Sequence, residues 1–251
     1  MLPTHTPVWF CIASISNILI SISLMGDMRS TVDIYVKEIE SRYYGLAFIE
    51  ERILSTTVRL TREEAVRNLV GSIPAGIEHR VVEEGSEFAD RTILMLKHLE
   101  SGDESFKNFS LATQFMSEVS SKVLEVAALI PIGYVTSYGN IAKVAGTEAQ
   151  TVGEIMAMNP VYPIVPCHRV VGSDFSLVGY GGSRAASALQ AKLARLNKEE
   201  RGFVEEKEIV IKDGKLTVYP VEYVTKKARK NDTYASGQRR IFDYMKLCDN
   251  V

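Results

Sequence analysis

Cysteine, histidine and tryptophan are scarce in this chain of 251 residues, which has three, four and one of them. Cys11, Cys167 and Cys248 lie far apart, one in each region of the sequence, and that argues against a disulfide framework. With scattered histidines and no Cys-x-x-Cys pair, the chain offers no recognisable zinc site, so no metal is expected. An excess of charge is also missing. The net charge of -2 excludes a global electrostatic attraction to nucleic acid and leaves room only for a local basic surface. There is no internal repeat and no low-complexity tract. What remains is 46% hydrophobic and 24% charged residues, enough to bury a sizeable core, most simply in two small domains.

A long apolar run occurs once, over residues 8–24. It has no lysine or arginine before it, contains several serines and an asparagine, and is short for a membrane span. The expectation is that residues 1–27 are a leader outside the fold, with translation beginning at Met25 or Met28. A membrane anchor is the alternative.

From residue 31 the pattern becomes that of a folded domain. Runs at 32–38, 43–49 and about 53–60 read as strands. Thr61-Arg62-Glu63-Glu64 reads as a capping box that opens a helix through Val70. A second amphipathic helix is expected from Glu87 to Glu100, stopped by Ser101-Gly102-Asp103. This small mixed α/β unit, assigned to 28–112, carries no catalytic constellation and is expected to act as support.

Chemistry is concentrated further on. In Asn159-Pro160-Val161-Tyr162-Pro163-Ile164-Val165-Pro166-Cys167-His168-Arg169-Val170, prolines forbid a regular helix and hold the side chains in a rigid segment. A cysteine is a nucleophile as its thiolate, and a neighbouring imidazole that takes the proton is a common means of making one. From these two residues alone an inert buried cysteine is the favoured reading. Just upstream, Ala142 and Gly146 are four apart, and Val152 and Ile155 follow at helical spacing after a break. That is the pattern of a helix-turn-helix, although any tight helical hairpin can produce it.

Together with Ile130-Pro131-Ile132-Gly133-Tyr134-Val135-Thr136-Ser137-Tyr138-Gly139, these two segments resemble the O6-alkylguanine-DNA alkyltransferase family, whose signature is the string Pro-Cys-His-Arg-Val. The likeness is firm over about 115–180, extends to about 200, and is faint over the N-terminal region. It implies a mainly helical domain at 113–203 that contains a helix-turn-helix, following the mixed α/β domain. It implies double-stranded DNA containing O6-alkylguanine as the partner, entry through the minor groove, and a flipped-out base. The alkyl group would pass once, irreversibly, from O6 to Cys167. No cofactor is implied, since the lesion is itself the alkyl donor. The family likeness further implies a monomer, a cytoplasmic location and no membrane partner.

By matching position, His168 draws the thiol proton through a water, Asn159 stabilises the neighbouring turn, and a carboxylate orients the imidazole. The Lys-x-x-x-Leu-x-x-Glu pattern in the helix expected over 185–200 selects Glu199, with Glu200 as the alternative. Tyr138 matches the tyrosine that donates toward the flipped guanine, and Tyr180 and Gly181 match the loop that closes over it. DNA contacts fall on Gln150, Thr151, Gly139, Arg169 and Ser173, with Lys143 and Arg184 as further phosphate contacts.

One departure is sharp. Gln150 stands where the family places an arginine finger, and from Thr147 to Met158 there are two glutamates and no cation. Weaker duplex binding with a smaller salt dependence, and a slower protein, are the expected consequences. A lesion sensor or regulator that only binds is the second reading. A Cys-His hydrolase working by acylation is the third, and it would need an oxyanion hole.

Residues 204–251 exceed the usual family length. Asp213-Gly214 between 207–211 and 215–219 signals a hairpin. From Thr225 onward, seven cations face three anions. This end is expected to be either a flexible arm on DNA phosphates or an idle tail.

Overall fold

The computed structural model describes residues 31–104, 107–212 and 214–235. The leader 1–27, Cys11, Cys248 and the basic residues Arg239, Arg240 and Lys246 lie outside the described residues. The fold has mixed sheets and helices, with two four-stranded sheets that share one large apolar cluster, and each sheet packs on a further smaller one.

The first sheet has strands β1 (Val32–Ile39), β2 (Arg42–Ile49), β3 (Arg52–Arg59) and β4 (His79–Val82), in the order β3-β2-β1-β4. The β1–β2 connection is a two-residue turn in which Glu40 and Ser41 both have positive φ, the twist that suits an antiparallel hairpin. β4 was not legible in the sequence. It is four residues long, mostly exposed, and pairs parallel to β1, so it lacks the alternation that marks a half-buried strand.

Helix α1 (Arg62–Ser72) starts as its capping box requires, with the Thr61 hydroxyl accepting from the Glu64 amide at 3.2 Å. It ends two residues later than Val70. Helix α2 (Glu87–Ser101) begins at Ser86, which caps the Ala89 amide, and stops at Gly102, whose φ of 85° only glycine adopts without strain.

Residues 113–203 are mainly helical, as expected, with two short strands among the helices. After α3 (Glu118–Ala128) come β5 (Tyr134–Ser137), α4 (Tyr138–Ala145), α5 (Ala149–Ala157), a single 3₁₀ turn (Cys167–Arg169), β6 (Val170–Val171) and α6 (Ala186–Lys198). Strands β7 (Lys207–Ile211) and β8 (Gly214–Pro220) then form the expected hairpin, and α7 (Glu222–Ala235) closes the described chain. The sheet order is β6-β5-β8-β7, with β5 parallel to β6 and antiparallel to β8. β5 and β6 hide in the sequence because they are very short and buried along their whole length, which removes the period-2 signal. β8 contributes the fully buried Leu216 and Val218 to the same core as Cys167, so the hairpin packs with residues 134–171 instead of standing apart.

The flexible arm is corrected over its described part. Residues 225–235 continue α7; Thr225 is fully buried, Lys227 is paired with Asp174, and Arg229 with Glu200.

The first sheet holds the second half in place through its edge. β3 takes isolated bridges from Leu111 and Val161. The Ser55 hydroxyl donates to the Pro160 carbonyl, and the Thr56 hydroxyl to the Tyr162 carbonyl at 2.7 Å. The segment leading to Cys167 is therefore clamped to a rigid sheet.

Candidate active site

Three consecutive residues of one 3₁₀ turn build the centre: Cys167, His168 and Arg169. All three are buried. Pro166 precedes the turn and β6 follows it, so the turn can neither extend into a helix nor slide.

Asn159 organises the approach. Its Nδ2 donates to the Val165 carbonyl at 2.8 Å and its Oδ1 accepts from the Val161 amide at 3.0 Å, closing the loop in front of the cysteine as the sequence led us to expect. Burial pushes the Cys167 thiol up, opposed by the Asn159 amide and by the charges of Lys192 and Arg195. The resting group is a thiol and needs a base.

His168 is placed to be that base. Its Nε2 lies 2.8 Å from Glu199 Oε1. A carboxylate only accepts, so Nε2 carries the hydrogen and Nδ1 is left as the acceptor. Nδ1 is buried and has no hydrogen-bond partner within the protein. Burial drives the His168 pKa down and Glu199 opposes it, which keeps the ring neutral and able to receive a proton.

Glu199 sits at the end of α6 and is buried. Burial alone would raise its pKa, but the hydrogen bonds and charges of His168 and Arg169 outweigh that and hold it well below the ordinary carboxylate range. Glu200, the alternative, points elsewhere and accepts from Thr225 and Arg229.

Arg169 requires a correction. Expected at a DNA phosphate, it is 3% exposed. Its Nε and Nη2 donate to Glu199 at 2.8 and 2.9 Å, and its Nη1 to Glu104 and to the Ile130 carbonyl. With its donors committed inside the protein, it cannot reach a duplex.

A cleft of about 850 Å³ opens beside the thiol and brings together Tyr138, Gly139, Gln150, Cys167, Ser173, Tyr180, Gly181 and Arg184. Thr151 lies on α5 but does not line the cleft, and Lys143 is exposed on α4 away from it. Tyr138 opens α4 and is half-buried; burial, then proximity to Cys167, pushes its pKa up to about 12, so the hydroxyl keeps its proton across the working pH range. Tyr180 and Ser183 exchange backbone hydrogen bonds around Gly181 and Gly182, both with positive φ. That is the tight turn which glycine permits without a Cβ penalty. Gln150 is exposed and donates to Glu154 at 3.2 Å.

Sequence reasoning gave no role to a lysine that the structure buries beside this cleft. Lys192 is fully buried, donating to the carbonyls of Val170 at 2.6 Å and Gly179 at 2.9 Å. Burial pulls its pKa down to about 8. The available signal was its position, with Leu189, Leu196 and Glu199 on the buried stripe of α6, where a charged residue needs a partner. Among the described residues no cluster of three His, Cys, Asp or Glu stands where it could hold a metal ion.

Residues 118–201 match the family model described as 6-O-methylguanine DNA methyltransferase, DNA binding domain. The methylated-DNA–protein-cysteine methyltransferase of Methanocaldococcus jannaschii is 32% identical over 143 residues, 57% of this chain and 82% of that protein. The protein of the same name from Pyrobaculum aerophilum is 51% identical over 67 residues, 27% of this chain and 45% of its own length. Among solved structures, the O6-methylguanine-DNA methyltransferase of Pyrococcus kodakaraensis is similar at 22% identity and a TM-score of 0.48, over 67% of this chain and 99% of that one. The chain belongs to the methylated-DNA–protein-cysteine methyltransferase family.

Proposed function

We infer that the protein repairs DNA by transferring the alkyl group of O6-alkylguanine irreversibly to Cys167. The observation that carries this reading is the relay in which Cys167 is followed by a neutral imidazole whose Nε2–H is fixed on Glu199, leaving a buried acceptor at Nδ1. The thiol proton passes to His168 Nδ1 through a water. The sulfur attacks the alkyl carbon, an S–C bond forms, and the C–O6 bond breaks with its electron pair going to guanine. Tyr138 passes its proton to the departing base, which leaves neutral, and the tyrosinate is reprotonated at the expense of the proton first taken up by His168. A soft sulfur suits a carbon electrophile, and O6 is reachable only when the base has left the stack. Tyr180 and Gly181 border the space the base would fill, and Asn159 keeps the turn before Cys167 in shape.

The finer architecture belongs to the same reading. The first sheet with α1 and α2, within 28–112, is a supporting domain. A second domain begins near residue 113, and α4 and α5, joined through Gly146 at a φ of 69°, are its helix-turn-helix. Since β8 pairs with β5, that domain is best drawn past 203 to include the hairpin. The partner is duplex DNA, contacted by Gln150, Thr151, Gly139 and Ser173, and the protein acts as a cytoplasmic monomer. Among the described residues no helix is long and apolar enough to cross a membrane.

Mass spectrometry after incubation with a duplex carrying one O6-methylguanine is the direct test. We expect one added methyl on the Cys167 peptide, with matching loss of lesion and no transfer in Cys167→Ala. Lesion-selective binding without transfer would overturn the reading in favour of a sensor, which the acidic, cation-free α5 favours as the second possibility.

The same α5 gives a prediction of gain. Gln150→Arg should tighten duplex binding and steepen the dependence of log affinity on log salt by about one unit. Glu154 lies one turn away and already holds Gln150, so the effect should be larger in Gln150→Arg/Glu154→Gln. Salt titrations by fluorescence anisotropy check both variants.

A further inference from the structure

We propose that Glu104, from the segment that follows α2, is a positioning residue for this transfer: it holds one side of Arg169 and so fixes the carboxylate that orients His168. The inference rests on the alkyl-transfer reading for its rate effect, but not for its effect on the thiol. No motif points to Glu104, which lies before the family signature and outside the matched residues 118–201.

The argument is one of donors and acceptors. Arg169 presents a planar fork of five N–H groups. One edge, Nε and Nη2, meets both oxygens of Glu199. The remaining Nη1 is taken by Glu104 Oε1 and the Ile130 carbonyl. Glu104 is itself fixed, because its Oε2 accepts from the Ile132 amide at 3.0 Å. It is balanced by Lys107, 3.9 Å away, whose ammonium also donates to the Ala128 carbonyl. The chain thus carries a carboxylate from the end of the first half to within one guanidinium of the catalytic pair.

The electrostatic consequence concerns Glu199 Oε1, which serves His168 and Arg169 at once. With Glu104 present, Arg169 is shared between two carboxylates. Without it, a buried guanidinium is answered by Glu199 alone and draws that negative charge away from the imidazole. The imidazolium that forms when the thiol gives up its proton is then less stabilised. The other ionisable groups around these residues are Arg195 beside His168 and Cys167, Lys192 beside Cys167, Lys107 beside Arg169 and Glu199, and Tyr138, Tyr162 and Tyr180 around Cys167. The first three are cations and the tyrosines stay neutral, so none can replace the lost carboxylate.

Glu104→Gln keeps the shape and removes the charge. Two rates test it: single-turnover methyl transfer from O6-methylguanine duplex, and iodoacetamide labelling of the Cys167 peptide as a function of pH. We expect transfer to slow about 10-fold, because His168 accepts the thiol proton less readily, and the labelling midpoint, which reads the thiol after loss of a nearby anion, to fall by up to about one pH unit. Duplex affinity should stay unchanged, and Glu104→Asp should show a smaller displacement in the same direction. A wild-type rate and midpoint in Glu104→Gln would overturn the proposal. So would a slower rate with an unmoved midpoint, which would mean structural support only. Should Glu104→Gln fail to fold, the Glu104→Asp midpoint decides, and an unmoved one counts against the proposal. If the wild-type protein transfers no methyl group yet the midpoint still moves, the functional reading fails while the role of Glu104 stands.

Discussion

Glu199→Gln is expected to slow methyl transfer to Cys167 by about 10²–10³-fold, within the range that general-base assistance contributes. The amide can present its NH₂ to His168 Nε2 and force the hydrogen to Nδ1, turning the acceptor that faces the relay into a donor. The same substitution leaves the buried Arg169 with one of its two carboxylates gone. Removing one member of a buried ion pair costs about 3–5 kcal/mol, so the thermal midpoint should fall as well. Single-turnover kinetics separate the effects when run well below that midpoint; a variant that is less stable but equally fast would sink the proposed role of Glu199.

The acid limb of stability follows from the same pair. Glu199 has a folded pKa below its ordinary 4.5, so the folded state holds its proton less tightly. The stability this contributes is present above about pH 4.5 and is lost as pH falls through the lower, folded value. His168, buried neutral, also has a folded pKa below its ordinary 6.5. Its contribution is complete above that pH and shrinks as pH falls below it. Both signs agree, so the wild-type melting temperature should decline on acidification from about pH 6.5, and the decline below 4.5 should be shallower in Glu199→Gln.

Lys192→Met should separate stability from reactivity. Two opposing terms nearly cancel in stability. Leaving the Val170 and Gly179 carbonyls without their donor costs about 1–3 kcal/mol each. Keeping a lysine charged at a site where its pKa falls from 10.5 to about 8 costs about 3 kcal/mol, and methionine removes that burden while filling similar volume. The melting temperature should therefore change little near pH 7. Transfer should nevertheless slow about 10–100-fold, because Cys167 loses a nearby cation that favours its thiolate, and the segment entering the Gly181–Gly182 turn loses its anchor at Gly179. The labelling midpoint of Cys167 should rise in parallel. A variant that keeps its stability, its midpoint and its rate would show Lys192 to be packing alone.

The parts of this molecule that were legible in its sequence are those governed by local rules. The capping box at Thr61, the stop at Gly102 and the hairpin at Asp213-Gly214 depend on a few adjacent residues. So do the glycine turn after α4 and the Cys-His adjacency. The choice of Glu199 over Glu200 was readable because helix register is periodic. What escaped depends on distant pairing. β5 and β6 exist because β8 and the Cys167 turn surround them, and no alternation advertises them. Arg169 was misplaced on the DNA face because sequence records its charge but not that Glu104 and Glu199 surround it. The extent of α7 was hidden because a run of cations reads as solvated chain until Asp174 and Glu200 are found opposite two of them.

The 3₁₀ turn also bears on how such a protein can change over generations. Cys167, His168 and Arg169 occupy three successive positions, so insertions elsewhere leave their mutual geometry intact. The carboxylate and the lysine come from one helix, and Glu199 stands seven positions after Lys192, close to two full turns. Added residues between Tyr180 and the start of α6 can bulge outward and leave that face alone. A single residue inserted between Lys192 and Glu199 would instead rotate one relative to the other by about 100°. The loop before α6 can thus change in length without disturbing the centre, whereas the spacing within α6 cannot.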